Sequence, residues 1–127
     1  MIENFEIKLV RMKNGEDLIC FCFEDLENKK IHIKYPKNFW QNYDIDTGED
    51  EIVIVDWLPL MAYAYNSVSV DSDQVLFTSY PTTIFGIRYL KELIDTLNPD
   101  SDLAKQINTS LEQYSDLESQ DEQVIYH

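Results

Sequence analysis

Glycine is scarce in this chain. Three residues, at positions 15, 48 and 86, cannot spell a dinucleotide-binding fingerprint or a Walker loop, so a glycine-built phosphate cradle is excluded. Histidine and cysteine are as sparse, with only His32, His127, Cys20 and Cys22. No paired Cys or His spacing exists for zinc, so no metal site is expected. Cys20 and Cys22 lie two apart within an apolar run. On a strand they face the same way but too far apart for easy disulfide geometry, and they read as buried thiols with no histidine beside them to lower a thiol pKa. The serines include no nucleophile elbow and no Ser–His arrangement beyond His32 and the terminal His127. The sequence therefore predicts a non-enzyme, with no catalytic residue and no cofactor.

Basic residues are also few: 10 Lys and Arg against 24 Asp and Glu, a formal charge of −14. The imbalance is uneven along the chain. Through Lys37 there are seven acidic and seven basic residues, from Asn38 to Asn98 ten and two, and after that seven and one. Phosphate binding relies on clustered cations that release counterions, so general nucleic-acid binding is disfavoured. No apolar run approaches the length of a membrane span, and charges every few residues in 1–10 deny that segment the apolar core of a secretory signal. A cytoplasmic protein with no membrane contact is expected.

What is present suits one small domain. Hydrophobic residues make up 44% of 127, enough for a core without staples. Phe5, Ile7 and Leu9 alternate with Glu6, Lys8 and Val10, the period of a half-buried strand over 5–12. Asn14-Gly15 is a strong hairpin signal. The continuous apolar character of 17–23 predicts a strand buried on both faces. After a polar turn over 24–29, residues 30–35 alternate again, and Pro36 is expected to end that strand. A loop bearing Phe39, Trp40 and Tyr43 then leads into the acidic stretch 44–51. Counted as an EF-hand from Asp44, the sixth and twelfth positions hold Glu49 and Val55 instead of Gly and Glu, so this stretch reads as a solvated loop.

A strand over 52–56 exits through Trp57-Leu58-Pro59. Tyr63, Tyr65, Val68 and Val70 share a period of two, and a turn at 71–73 precedes a last strand over 74–80. After Pro81 the period changes to that of a helix, with Ile84, Ile87, Leu90, Ile94 and Leu97 on one stripe and Thr82 or Thr83 as cap. A second helix, with Leu103, Ile107, Leu111 and Tyr114 on one face, occupies 99–115, and an acidic mobile tail 116–127. The aromatics Phe39, Trp40, Tyr43, Trp57, Tyr63 and Tyr65 form a candidate partner-binding set, because large aromatics with little positive charge around them favour protein over RNA.

The segment from Met12-Lys13-Asn14-Gly15-Glu16-Asp17 through the apolar strand to the acidic turn Glu24-Asp25-Leu26-Glu27-Asn28 and on to Ile31 resembles the first motif of the Sm and Sm-like family. With Trp57-Leu58-Pro59, Val75-Leu76 and the helix after Pro81, it looks like the Sm-like proteins of tailed phages, especially those of marine cyanobacteria. The resemblance implies a mainly β fold with C-terminal helices: a strongly bent, five-stranded antiparallel open barrel over 1–98, first helix included, that assembles edge to edge into a homo-oligomeric ring in the bacterial host cytoplasm. It implies a scaffold or adaptor role with protein partners. The alternative is an RNA-binding ring using Asp25, Asn28, Lys29 and Lys30, with Lys8, Lys13 and Lys34 as local positive charge. The family's Arg-Gly second motif is absent here.

Overall fold

The computed structural model describes residues 1–57 and 67–125, with 115–125 as backbone only. It divides into two units, Asn4–Pro81 and a second formed by Met1–Glu3 with Thr82–His127.

In the first unit the period-two signals become an antiparallel sheet. β1 (Glu6–Met12) and β2 (Asp17–Asp25) pair in the register Glu6↔Cys22 to Arg11↔Asp17. The turn between them closes with Gly15 N–H donating to Met12 C=O (3.0 Å) and Met12 N–H to Glu16 C=O (2.8 Å). Gly15 sits at φ +93°, which glycine adopts at little steric cost. β2 is buried on both faces, with Leu18, Ile19, Cys20, Phe21 and Cys22 all at 2% exposure or less. Its Leu18, Cys20 and Cys22 join Val10, Met12, Ile31 and Ile33 in one core cluster, against which Trp57, Val68, Val70 and Val75 pack.

β3 (Lys30–Tyr43) corrects the expectation that Pro36 ends the strand. Its pairing with β2 slips between Phe21↔Lys34 and Ile19↔Lys37, which leaves Tyr35 and Pro36 together opposite Cys20. That is a β-bulge. The missing Pro N–H falls where the ladder is already interrupted, and Tyr35 takes the left-handed φ of +52°. The extra residue also shifts the inside–outside alternation by one, which is why the pattern stops reading as a strand at Pro36. Phe39, Trp40 and Tyr43, expected in a loop, therefore lie on β3.

β4 (Asp50–Asp56) and β5 (Ser67–Asp71) both pair with β3, β4 along Lys37–Tyr43 and β5 along Lys30–Lys34. β6 (Val75–Ser79) follows β5 through a one-turn 3-10 helix, Ser72–Gln74, and pairs with β1. The sheet thus has six strands rather than five, because the period-two segment with Val68 and Val70 forms a strand of its own, β5, beside β3. Its path is β4-β3-β2-β1-β6, with β5 also on β3. It is open, not a closed barrel: among the described residues β6 pairs with β1 alone, and β4 and β5 with β3 alone.

The second unit contains α1 (Thr83–Ile94) and α2 (Asp102–Ile125), which pack on one another. Thr82 caps α1, its hydroxyl oxygen accepting from Phe85 N–H at 3.2 Å. Ser101 does the same for α2 through Ala104 N–H (3.2 Å). The buried stripe of α1 is Phe85, Ile87, Tyr89, Leu90 and Leu93. Ile84, expected on that stripe, is 75% exposed, because the aromatic pair Phe85 and Tyr89 takes the inward face. No helix among the described residues is long and apolar enough to cross a membrane.

Candidate functional site

The turn between β2 and β3 brings together Asp25, Asn28, Lys29 and Lys30. Asp25 accepts from Asn28 twice, from the backbone N–H at 3.2 Å and from Nδ2 at 2.8 Å. These bonds, the side-chain one foremost, and His32 beside them hold the Asp25 carboxyl below the usual carboxylate range. Lys29 adopts φ +54° and its carbonyl accepts from Ser72 N–H at 2.9 Å. Lys30 forms an ion pair with Asp71. A shallow cleft beside the turn is lined by Asn28, Lys29, Asp71, Ser72 and Asp73, so its charges are mixed instead of cationic. Lys8, a further base in the RNA alternative, faces Glu24 and Glu6 at 3.7 and 3.9 Å.

A group depressed in this way contributes stability above the unfolded carboxylate range and loses it as pH falls through the folded value. Asp25→Asn is therefore expected to flatten the acid limb of the stability curve below about pH 4, near the ordinary Asp value of 3.8. Urea midpoints measured from pH 5 to 2 check this, and an unchanged acid limb contradicts it.

The structure adds a constellation that the sequence did not disclose. His32 on β3 stands in register between Phe23 on β2 and Ser69 on β5. Its Nδ1 lies 2.6 Å from Ser69 Oγ, and its Nε2 lies 3.3 Å from Asp25 Oδ2. The ring stacks on Phe23 at 5.8 Å and 11° between planes. Phe23 in turn meets Phe5 at 5.8 Å, and Lys34 Nζ lies 4.9 Å from the centre of the Phe5 ring. Ser69 is 37 residues from His32 in sequence. Only the β3–β5 register could have revealed the pair.

The aromatic set divides. Phe39, Trp40 and Tyr43 lie on β3, whose pairing with β2 ends at Asp17↔Phe39 while its pairing with β4 continues to Tyr43↔Asp50. Trp40–Val53 is consequently a two-stranded ribbon that runs past the rest of the sheet, with Trp40, Tyr43, Ile45 and Ile52 exposed. Trp57 is not part of that surface: it packs on the core, and its Nε1–H donates to Glu16 Oε2 at 3.1 Å, an acceptor also reached by Asn38 Nδ2 at 3.3 Å. Tyr63 and Tyr65 fall outside the described residues. On the opposite margin β6 exposes Leu76 and Phe77, and Tyr80 follows them.

The acidic loop closes on itself. Asp44 Oδ1 accepts from Asp46 N–H (2.9 Å) and Thr47 N–H (3.4 Å), and Gly48 N–H donates to Asp44 C=O (2.8 Å). Asp44 thus serves the turn. Cys20 and Cys22 are free and buried. Their mutual hydrogen bond, with burial added, pushes the Cys20 thiol well above its ordinary range, the inert direction for a nucleophile. Among the described residues no three His, Cys, Asp or Glu side chains converge as a metal site. No protein-family model matches this chain, and no curated protein matches its sequence.

Proposed function

We propose that the chain is an oligomeric scaffold or adaptor of the Sm-like kind, assembled by pairing the β6 margin of one copy with the β4 margin of the next and offering its aromatic ribbon to a protein partner. The observation that carries this reading is the pair of sheet margins that are free among the described residues and bear exposed apolar side chains, Ile52 and Val55 on β4 and Leu76 and Phe77 on β6. A free margin presents unpaired N–H and C=O groups, which a second strand satisfies. The ribbon Trp40–Val53 supports it too, since a lone two-stranded hairpin is marginal in water and gains by being covered.

Charge favours unlike margins meeting. Antiparallel pairing of β4 with itself about Val53 would set Asp50 opposite Asp56, like charges facing each other, whereas the β6 sequence Val75–Ser79 is uncharged. Pairing of β6 with itself would leave both acidic β4 margins open. Unlike margins give a head-to-tail contact, which closes into a ring when the rotation permits.

Amide hydrogen exchange over β4 and β6 tests the pairing. Protection of alternate, outward-facing amides at micromolar concentration supports it, and exchange of those amides at unprotected rates refutes it. RNA is separated by filter binding across salt: a steep salt slope would replace the adaptor reading with the RNA-binding ring. The engagement of Lys30 with Asp71 and of Asp25 with Asn28 and His32 favours the adaptor.

A further inference from the structure

We propose that Asp25, His32 and Ser69 form a hydrogen-bonded relay that makes the Ser69 hydroxyl a nucleophile toward small, unhindered carboxylic esters. The inference is independent of the assembly.

The proton positions follow from donor and acceptor chemistry. An ionised carboxylate only accepts, so the ring nitrogen facing Asp25 carries the proton, and in the neutral ring the other nitrogen is an acceptor. Nδ1 then accepts from the Ser69 hydroxyl at 2.6 Å. A base aimed at a serine proton, itself oriented by a carboxylate, is the arrangement that activates serine nucleophiles, and it is recognised by geometry and roles more than by fold or chain order.

Each member is held. Asn28 fixes Asp25 through two hydrogen bonds, which also favour its ionised form. The stack on Phe23 sets the plane of the imidazole. Ser69 is directly opposite His32 in the β3–β5 register, and its side of the sheet is open, with Ser69 exposed and the His32 side chain 33% exposed. Lys34, two residues from His32 along β3, adds positive charge near the place where an oxyanion would form, while Lys30 on the other side is paired with Asp71.

In the step itself, Ser69 Oγ bonds to the ester carbonyl carbon as its proton passes to His32 Nδ1. The C–O bond to the alcohol breaks, and the alcohol leaves with that proton from Nδ1. The acyl group remains on Ser69 until water, giving a proton to the same nitrogen, bonds to the acyl carbon; the bond from that carbon to Oγ then breaks, Oγ takes the proton back from Nδ1, and the acyl group leaves as a carboxylic acid. Asp25 does not take the proton. It is a positioning residue for the ring.

The test uses the full chain with a fluorophosphonate probe and with p-nitrophenyl acetate. Labelling that maps by peptide mass spectrometry to Ser69 is expected, together with loss of label in Ser69→Ala. The initial burst of p-nitrophenol is expected to fall about 10²-fold in His32→Gln. Ser67→Ala, on the same strand and face, retains the label. Asp25→Asn lowers the rate of labelling while leaving the site of labelling unchanged, which a role confined to folding would not produce. Absence of label at Ser69, or label that persists at the same rate in His32→Gln with native circular dichroism, overturns the proposal.

Discussion

Replacing Phe21 with alanine is expected to destabilise the fold by about 3–5 kcal/mol, a large fraction of the roughly 5–15 kcal/mol that holds a domain of this size. Phe21 lies in the middle of β2 at 2% exposure, paired across the sheet with Ile7 and Lys34. Its ring meets Tyr35 edge-on at 6.5 Å, beside the bulge that bends β3. Truncation leaves a cavity whose lining includes Tyr35, already at a left-handed φ that a bulky residue adopts only when its surroundings impose it. Urea unfolding measures the effect. Val55→Ala, 41% exposed on the β4 margin, is the control and is expected to shift stability by less than about 0.5 kcal/mol in the isolated chain. A Phe21→Ala loss as small as the control's would show that the second face of β2 is not packed.

The larger functional effect is expected at the margins. Leu76→Lys and Ile52→Lys each place a charge on one free edge, a device by which strands resist pairing. Both positions are exposed, at 58% and 37%, so the folded chain should tolerate either. Each variant alone is expected to be a particle of 15.0 kDa. Mixed together they should form a pair of twice 15.0 kDa and no more, because each retains the margin the other has lost. Pairing of β6 with β6 would instead be broken by Leu76→Lys and untouched by Ile52→Lys. Sedimentation velocity on the two variants and on their mixture separates these outcomes.

Much of this architecture is legible in the residues. The strand over 5–12, the Asn14-Gly15 turn, the unbroken apolar run from Leu18 to Phe23 and the Thr82 cap each point to local structure that the fold confirms, because each is governed by neighbours within a few residues. The facing of that first strand does not follow, since Val10, grouped with the polar alternates, lies with Met12 in the core. What escaped depends on pairing at long range. Pro36 reads as a stop unless the strand opposite is known to skip a residue there, as it does at Cys20. The ribbon aromatics read as loop residues for the same reason. Ile84 fits a helical period as well as Phe85 does, and only the packed structure says which one turns inward. The meeting of Asp25, His32 and Ser69 requires three strands in register, and no local spacing encodes it.

The most direct test of the assembly is the molar mass of the unmodified chain in solution, measured by light scattering at micromolar concentration after size separation. A single species at a whole-number multiple, greater than one, of 15.0 kDa, stable on dilution across the micromolar range, is expected. A species of 15.0 kDa at those concentrations would contradict it.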